Sequence, residues 1–163
     1  MAHHKLVLEE LPSDEFSLIA IHCSTEAYKM AFTLNKHLGL RLHRRRTDLD
    51  FSSDGLDVFF ELYEFDQTER YTTFSLLANK CKTTTARTTA SGSLFETEPT
   101  EEMVTKFLVP EFKKVDFFLK IETDQDIVPI RKYVSKIAEI KQVISAYEVS
   151  LDKLKSKNHL IYD

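Results

Sequence analysis

The feature that most constrains this chain is a strand–helix–strand pattern that occurs twice, about 100 residues apart. Phe16–Cys23 is apolar almost without a break, as expected of a strand covered on both faces. Ser24 or Thr25 then offers an N-cap, and Glu26 suits a first helical turn. Ala27, Ala31, Leu34 and Leu38 make one helical stripe, and Gly39 stands where a left-handed residue ends helices. The pattern returns at Val115–Glu122. There Val115, Phe117, Leu119 and Ile121 form one apolar row, with Asp116, Lys120 and Glu122 opposite. Asp124 or Asp126 caps a second helix with the stripe Ile127, Ile130, Val134 and Ile137, and Pro129 fits its first turn. Gln142–Val149 reads as the strand that follows. The helices are expected over Thr25–Leu38 and Ile127–Ile140.

Between the two units the chain reads mostly as strand. Leu40–Phe51 is expected to be extended, and Leu56–Asp66 and Glu69–Asn79 form a hairpin rich in Phe, Tyr, Val and Thr. The turn Asp66–Glu69 is polar but lacks glycine. Residues 81–93 are rich in threonine and lack a large apolar side chain, which predicts an exposed loop or flexible ribbon. Thr100–Leu108 has a helical face of Met103, Val104, Phe107 and Leu108, ended by Pro110. Ser150–Lys155 suits a helical turn and His159–Asp163 a short edge strand. The economical solution is an α+β fold: a mainly antiparallel sheet with two long helices on one face. This is a ferredoxin-like or related arrangement, with two β-α-β units joined by hairpin strands.

Composition narrows the chemistry. A chain of 163 residues, 42% of them hydrophobic, suits one domain over residues 1–163. Three glycines leave little material for glycine-rich phosphate cradles, and no dinucleotide fingerprint or serine elbow occurs. The net charge of −4 and pI near 5.9 disfavour broad phosphate contact, so nucleic-acid binding is expected only if local. No apolar run approaches membrane-spanning length, and residues 1–10 lack a signal-peptide core. Cys23 and Cys81 lack Cys-x-x-Cys spacing and read as reduced thiols in a cytoplasmic setting. His22 and Cys23 point to opposite faces of a strand, and the other histidines are dispersed. No metal or cofactor is therefore expected.

Val109-Pro110-Glu111-Phe112-Lys113-Lys114-Val115-Asp116-Phe117 resembles the motif of the IPExxVDY family, with valine for its isoleucine and phenylalanine for its tyrosine. His4-Lys5-Leu6, Tyr71-Thr72-Thr73, Phe118-Leu119-Lys120-Ile121 and Leu154-Lys155-Ser156-Lys157 extend the resemblance over most of the chain. It implies a bacterial protein of a family without an assigned reaction, ligand or partner. It also implies that a tyrosine hydroxyl is dispensable at Phe117.

The weak site candidates are charged. Glu111, Lys113, Lys114 and Asp116 flank the lead-in to a strand. Their functional reading is a charged site; their structural reading is a proline turn whose carboxylates accept hydrogen bonds. Arg44 and Arg46 share one face of a strand, with Arg41, His43 and Arg45 on the other. Pairing with Asp48, Asp50, Asp57 and Glu61, or a place at a dimer rim, is favoured over anion or nucleic-acid contact. The expected function is a non-catalytic binding or protein-interaction module. Excess aromatics at Phe59, Phe60, Tyr63, Phe65, Tyr71 and Phe74 suggest a homodimer. The partner is an unidentified protein or small molecule. The alternatives are an enzyme built from scattered polar residues and an RNA-associated protein using strand 41–46.

Overall fold

A computed structural model describes residues 16–87 and 100–163. These residues form an α+β fold, mostly antiparallel sheet with two helices. The strands are β1 (Ser17–His22), β2 (His43–Arg44), β3 (Leu49–Asp50), β4 (Phe59–Phe60), β5 (Leu62–Gln67), β6 (Thr72–Ala78), β7 (Lys80–Arg87), β8 (Thr100–Phe107), β9 (Phe117–Thr123) and β10 (Ser145–Val149). The helices are α1 (Ala27–Leu38) and α2 (Ile130–Ala138). Six strands make the main sheet in the order β10-β1-β9-β6-β5-β2, and each neighbouring pair is antiparallel. β3 pairs with β4, and β7 with β8, as separate two-stranded ribbons.

Two buried clusters follow from the alternation of side chains along the strands. Ile19, Ile21, Phe74, Leu76, Leu119 and Ile121 join Met30, Ala31 and Leu34 of α1 and Ile130 and Ile137 of α2. Leu18, Ala20, Leu62, Leu77 and Phe118 join Val58, Phe60, Leu108, Val109, Val115, Leu154 and Leu160 in the second. β1 is therefore covered on both faces, as its unbroken apolar run requires. Gly39 ends α1 with φ 66, the left-handed value a Cβ disfavours.

Several expectations change. The predicted helix over Thr100–Leu108 is strand β8, because β7 supplies a full ladder from Lys80↔Phe107 to Arg87↔Thr100, beyond the reach of local periodicity. The same pairing makes residues 81–87 one strand of a two-stranded ribbon, where β-branched threonines fit, the ribbon and not the loop of the two expected forms; residues 88–93 of that stretch lie outside the described residues. Leu40–Phe51 holds two short strands, β2 and β3, that pair with different partners. α2 begins only at Ile130, with Pro129 at its N-cap, so Ile127 is left 81% exposed instead of joining the stripe. Neither helix has a side-chain N-cap bond. His159–Asp163 is not an edge strand: Lys157–Leu160 is a 3-10 turn that buries Leu160 in the second cluster. The β5–β6 turn does without glycine because Tyr71 takes the left-handed conformation, φ 48, after the 3-10 turn Thr68–Arg70.

Candidate functional site

The proline turn is built around Asn79, the residue between β6 and β7. It is fully buried. Its Nδ2 donates to the carbonyls of Phe112 and Val115, both at 2.9 Å, and its Oδ1 accepts the Val109 N–H at 2.8 Å. Its backbone N–H donates to Asp116 O, and its carbonyl accepts from Leu108 N–H. Val109, Pro110–Phe112 and Val115 are thus folded onto one amide side chain. Val115 does not share a face with Phe117. It precedes β9, bonds back to Phe112 O and packs in the second cluster, whereas Phe117 packs against the helices.

The carboxylates of this turn point to different places. Asp116 Oδ2 accepts the Cys23 N–H at 2.9 Å, and its Oδ1 lies 2.7 Å from Lys80 Nζ. Glu111 holds Ser156, accepting its N–H at 2.8 Å and its hydroxyl at 3.0 Å. Burial pushes the Glu111 carboxyl up, but hydrogen bonds from Ser156 and from the backbone at Glu111 and Lys155 together outweigh it, and the net shift is downward. Lys113 and Lys114 are exposed. Arg44 lies 2.8 Å from Asp48 and 2.8 Å from Glu61; Arg45 lies 3.5 Å from Glu64; Arg46 is exposed. Glu61, Lys80 and Asp116 line one small cavity of about 170 Å³ with Thr25 and Ala27. Through these carboxylates Arg44 and Asp116 come to neighbouring positions. Glu111 stands apart, turned toward Ser156 of the C-terminal segment.

A polar row crosses the second face of the sheet beyond the apolar cluster. The register sets Glu64 of β5 opposite Ser75 of β6, and Ser75 opposite Lys120 of β9. Lys120 is 2% exposed. Its Nζ lies 2.9 Å from Glu122 Oε1, 5.0 Å from the Phe16 ring centroid and 4.6 Å from that of Tyr162. Two aromatic faces and a carboxylate compensate the cation for lost water. Ser75 Oγ and Tyr162 Oη are buried without a well-formed hydrogen bond among the described residues. Burial pushes the Tyr162 phenol up; Ser75 pulls the other way, and Glu64 and Glu122 add to the rise. Strand alternation foretold a polar side for Lys120 and Glu122, but no local signal told that Phe16 and Tyr162 would cover it.

A mainly apolar cleft of about 540 Å³ lies beside α1, lined by Cys23, Thr25, Tyr28, Lys29, Met30, Phe32, Thr33, Ile140 and Gln142. Tyr28 and Phe32, one helical turn apart, stand at 59% and 70% exposure, while Met30 and Ile140 are buried. Burial, reinforced by the Asp116 charge, pushes the Cys23 thiol up. Tyr28 and Phe32 fall outside the inward stripe of α1, and two aromatics off that stripe were the sequence signal that could have marked this cleft. Of the aromatic hairpin, Phe60, Tyr63 and Phe74 are core, while Phe59 and Tyr71 are exposed.

Among the described residues, no group of three His, Cys, Asp or Glu side chains gathers to hold a metal ion, and no helix is long and apolar enough to cross a membrane. No protein-family model, curated protein or solved structure matches this chain.

Proposed function

We propose that this chain is a non-catalytic cytoplasmic binding module, assembled as a homodimer, whose binding site is the cleft beside α1. The cleft itself carries this reading. About 540 Å³ lies within the roughly 300–1,000 Å³ of small-molecule sites, and mainly apolar walls with a few polar groups suit them. Thr25, Thr33, Lys29 and Gln142 supply those groups. The resemblance to the IPExxVDY family belongs to the same reading. So does a ferredoxin-like fold, supported by the order β10-β1-β9-β6 with α1 following β1 and α2 joining β9 to β10.

The enzymatic alternative is weaker at this site. A nucleophilic cysteine works as thiolate, and both causes acting on Cys23 favour its thiol. The RNA reading of residues 41–46 loses force because Arg44 and Arg45 face carboxylates. The test is a fragment screen by amide chemical shifts. Small aromatic and branched aliphatic fragments are expected to perturb Thr25, Tyr28, Thr33 and Gln142, and Thr33→Trp, which fills the cleft, is expected to abolish those shifts. Perturbations elsewhere, or shifts indifferent to Thr33→Trp, would refute the reading.

A further inference from the structure

The two edges of the main sheet are unlike. At one end β2 has two residues, His43–Arg44, with Arg41, Arg45 and Arg46 close by. Short length and cationic side chains are the devices that keep an edge from pairing with another chain. At the other end β10 has five residues, Ser-Ala-Tyr-Glu-Val, in unbroken antiparallel register with β1 from Leu18↔Val149 to His22↔Ser145. It contains neither proline nor lysine, and its ladder with β1 contains no bulge. Ser145, Tyr147 and Glu148 are exposed, and Ile144, just before the strand, is 79% exposed. Among the described residues its outer side meets no strand.

We infer that β10 pairs antiparallel with β10 of a second copy, about a two-fold axis at Tyr147, giving one continuous sheet across the dimer. The inference rests on the homodimeric part of the proposed function and assigns its surface. The sequence of β10 suits self-pairing. With the axis at Tyr147, Ala146 of one copy faces Glu148 of the other, and Ser145 faces Val149. The one charge of the strand therefore meets an alanine, and like carboxylates are not opposed. The same axis lays the two α2 helices side by side and antiparallel, because α2 packs on β10 in each copy. Exposed Arg131 and Lys132 at the start of one α2 then lie toward exposed Glu139 just past the end of the other, a complementary arrangement. Small Ser135 and Ala138, also exposed, leave room for close approach. A strand pair with flanking helices can reach the roughly 800 Å² per partner of a stable interface, which one five-residue edge alone does not.

The test is done on the full chain. Light scattering is expected to give twice the 19.0 kDa chain mass. In a Cys81→Ser background, Tyr147→Cys is expected to cross-link two copies under mild oxidation, since the axis makes the two positions neighbours. Ser145→Cys is expected not to cross-link, because its symmetry mate lies about 13 Å along the strand. Should Tyr147→Cys fail to fold, hydrogen exchange of the parent serves instead: β10 amides are expected to lose protection on dilution, while those of β9 keep it. A monomer mass over a wide concentration range would overturn the inference. So would a dimer in which position 145 cross-links as well as 147, or in which neither does. Fragment binding in the cleft is read separately, so a failed edge leaves that part of the proposal standing.

Discussion

The backbone N–H of Val109 donates to Oδ1 of Asn79 at 2.8 Å, joining two residues 30 positions apart in a site without solvent. Asn79 also satisfies the carbonyls of Phe112 and Val115. Asn79→Ala would strand two buried groups, the Val109 N–H and the Val115 carbonyl, each worth about 1–3 kcal/mol when unmade, and would leave the Phe112 carbonyl with the Val115 N–H alone. A loss of about 4 kcal/mol in urea unfolding is expected. A loss under 1 kcal/mol would mean that water replaces the amide.

Phe117→Ala separates scaffold from site in the proline turn. Phe117 is 4% exposed and packs with the helices, so its truncation is expected to cost about 3–5 kcal/mol. Asp116→Asn keeps an acceptor for the Cys23 N–H and loses the charge facing Lys80, for which about 1 kcal/mol is expected. Glu111→Gln should cost less still. A carboxylate variant of normal stability that loses ligand or partner binding would instead make its residue part of the site.

Glu111 predicts an acid response. Its carboxyl lies below its ordinary value in the folded chain, so its contribution is fully present above about 4.5 and fades as pH falls through the lower folded value. The stability gap between the parent and Glu111→Gln should therefore shrink on acidification below that point. Urea midpoints of both proteins between pH 6 and about 3 check the sign; a gap that widens toward acid would reverse it.

Lys120 is the informative buried charge. Lys120→Met keeps the stem and removes an ammonium whose partner Glu122 is 42% exposed and can hydrate alone. Such replacements are often neutral or stabilising by roughly 1–4 kcal/mol. Lys120→Met is expected to match or exceed the parent in urea unfolding, while Lys120→Ala, which leaves a void between Phe16 and Tyr162, loses about 3 kcal/mol. A marked loss in Lys120→Met would show that the cation itself holds the C-terminal segment.

Elements with a strong period of their own were legible: β1, α1 with its Gly39 end, β6 and β9 appear close to their expected places, while the expected strand Leu56–Asp66 is divided between β4, which pairs with β3, and β5, which pairs with β6. What misled were segments whose state a distant partner decides. The Met103–Leu108 face suits a helix locally, but β7 recruits it as strand. Leu160 and Tyr162 look like an edge strand, yet one fills the second cluster and the other covers Lys120. Asn79 marked only a strand end, because nothing nearby in sequence reveals the three groups it serves. Of the charged candidates, Glu111 and Asp116 have structural partners, and the cleft arises from Tyr28 and Phe32, which charge patterning does not single out.

The β7–β8 ribbon has a kinetic consequence. Residues 79 and 108 are far apart along the unfolded chain, and closing that loop costs entropy that grows with the logarithm of its length. Once β7 and β8 zip together, Lys80 faces Phe107, and Asn79 and Leu108 are already neighbours. The docking of the 109–116 turn, and then of β9 beside β6, becomes a short closure across a preformed ladder instead of a long search. Threonine-rich strands that bury little are thus a shortcut in topology: they lower the effective contact order of the central β6–β9 pair, and weakening them should slow folding more than it speeds unfolding.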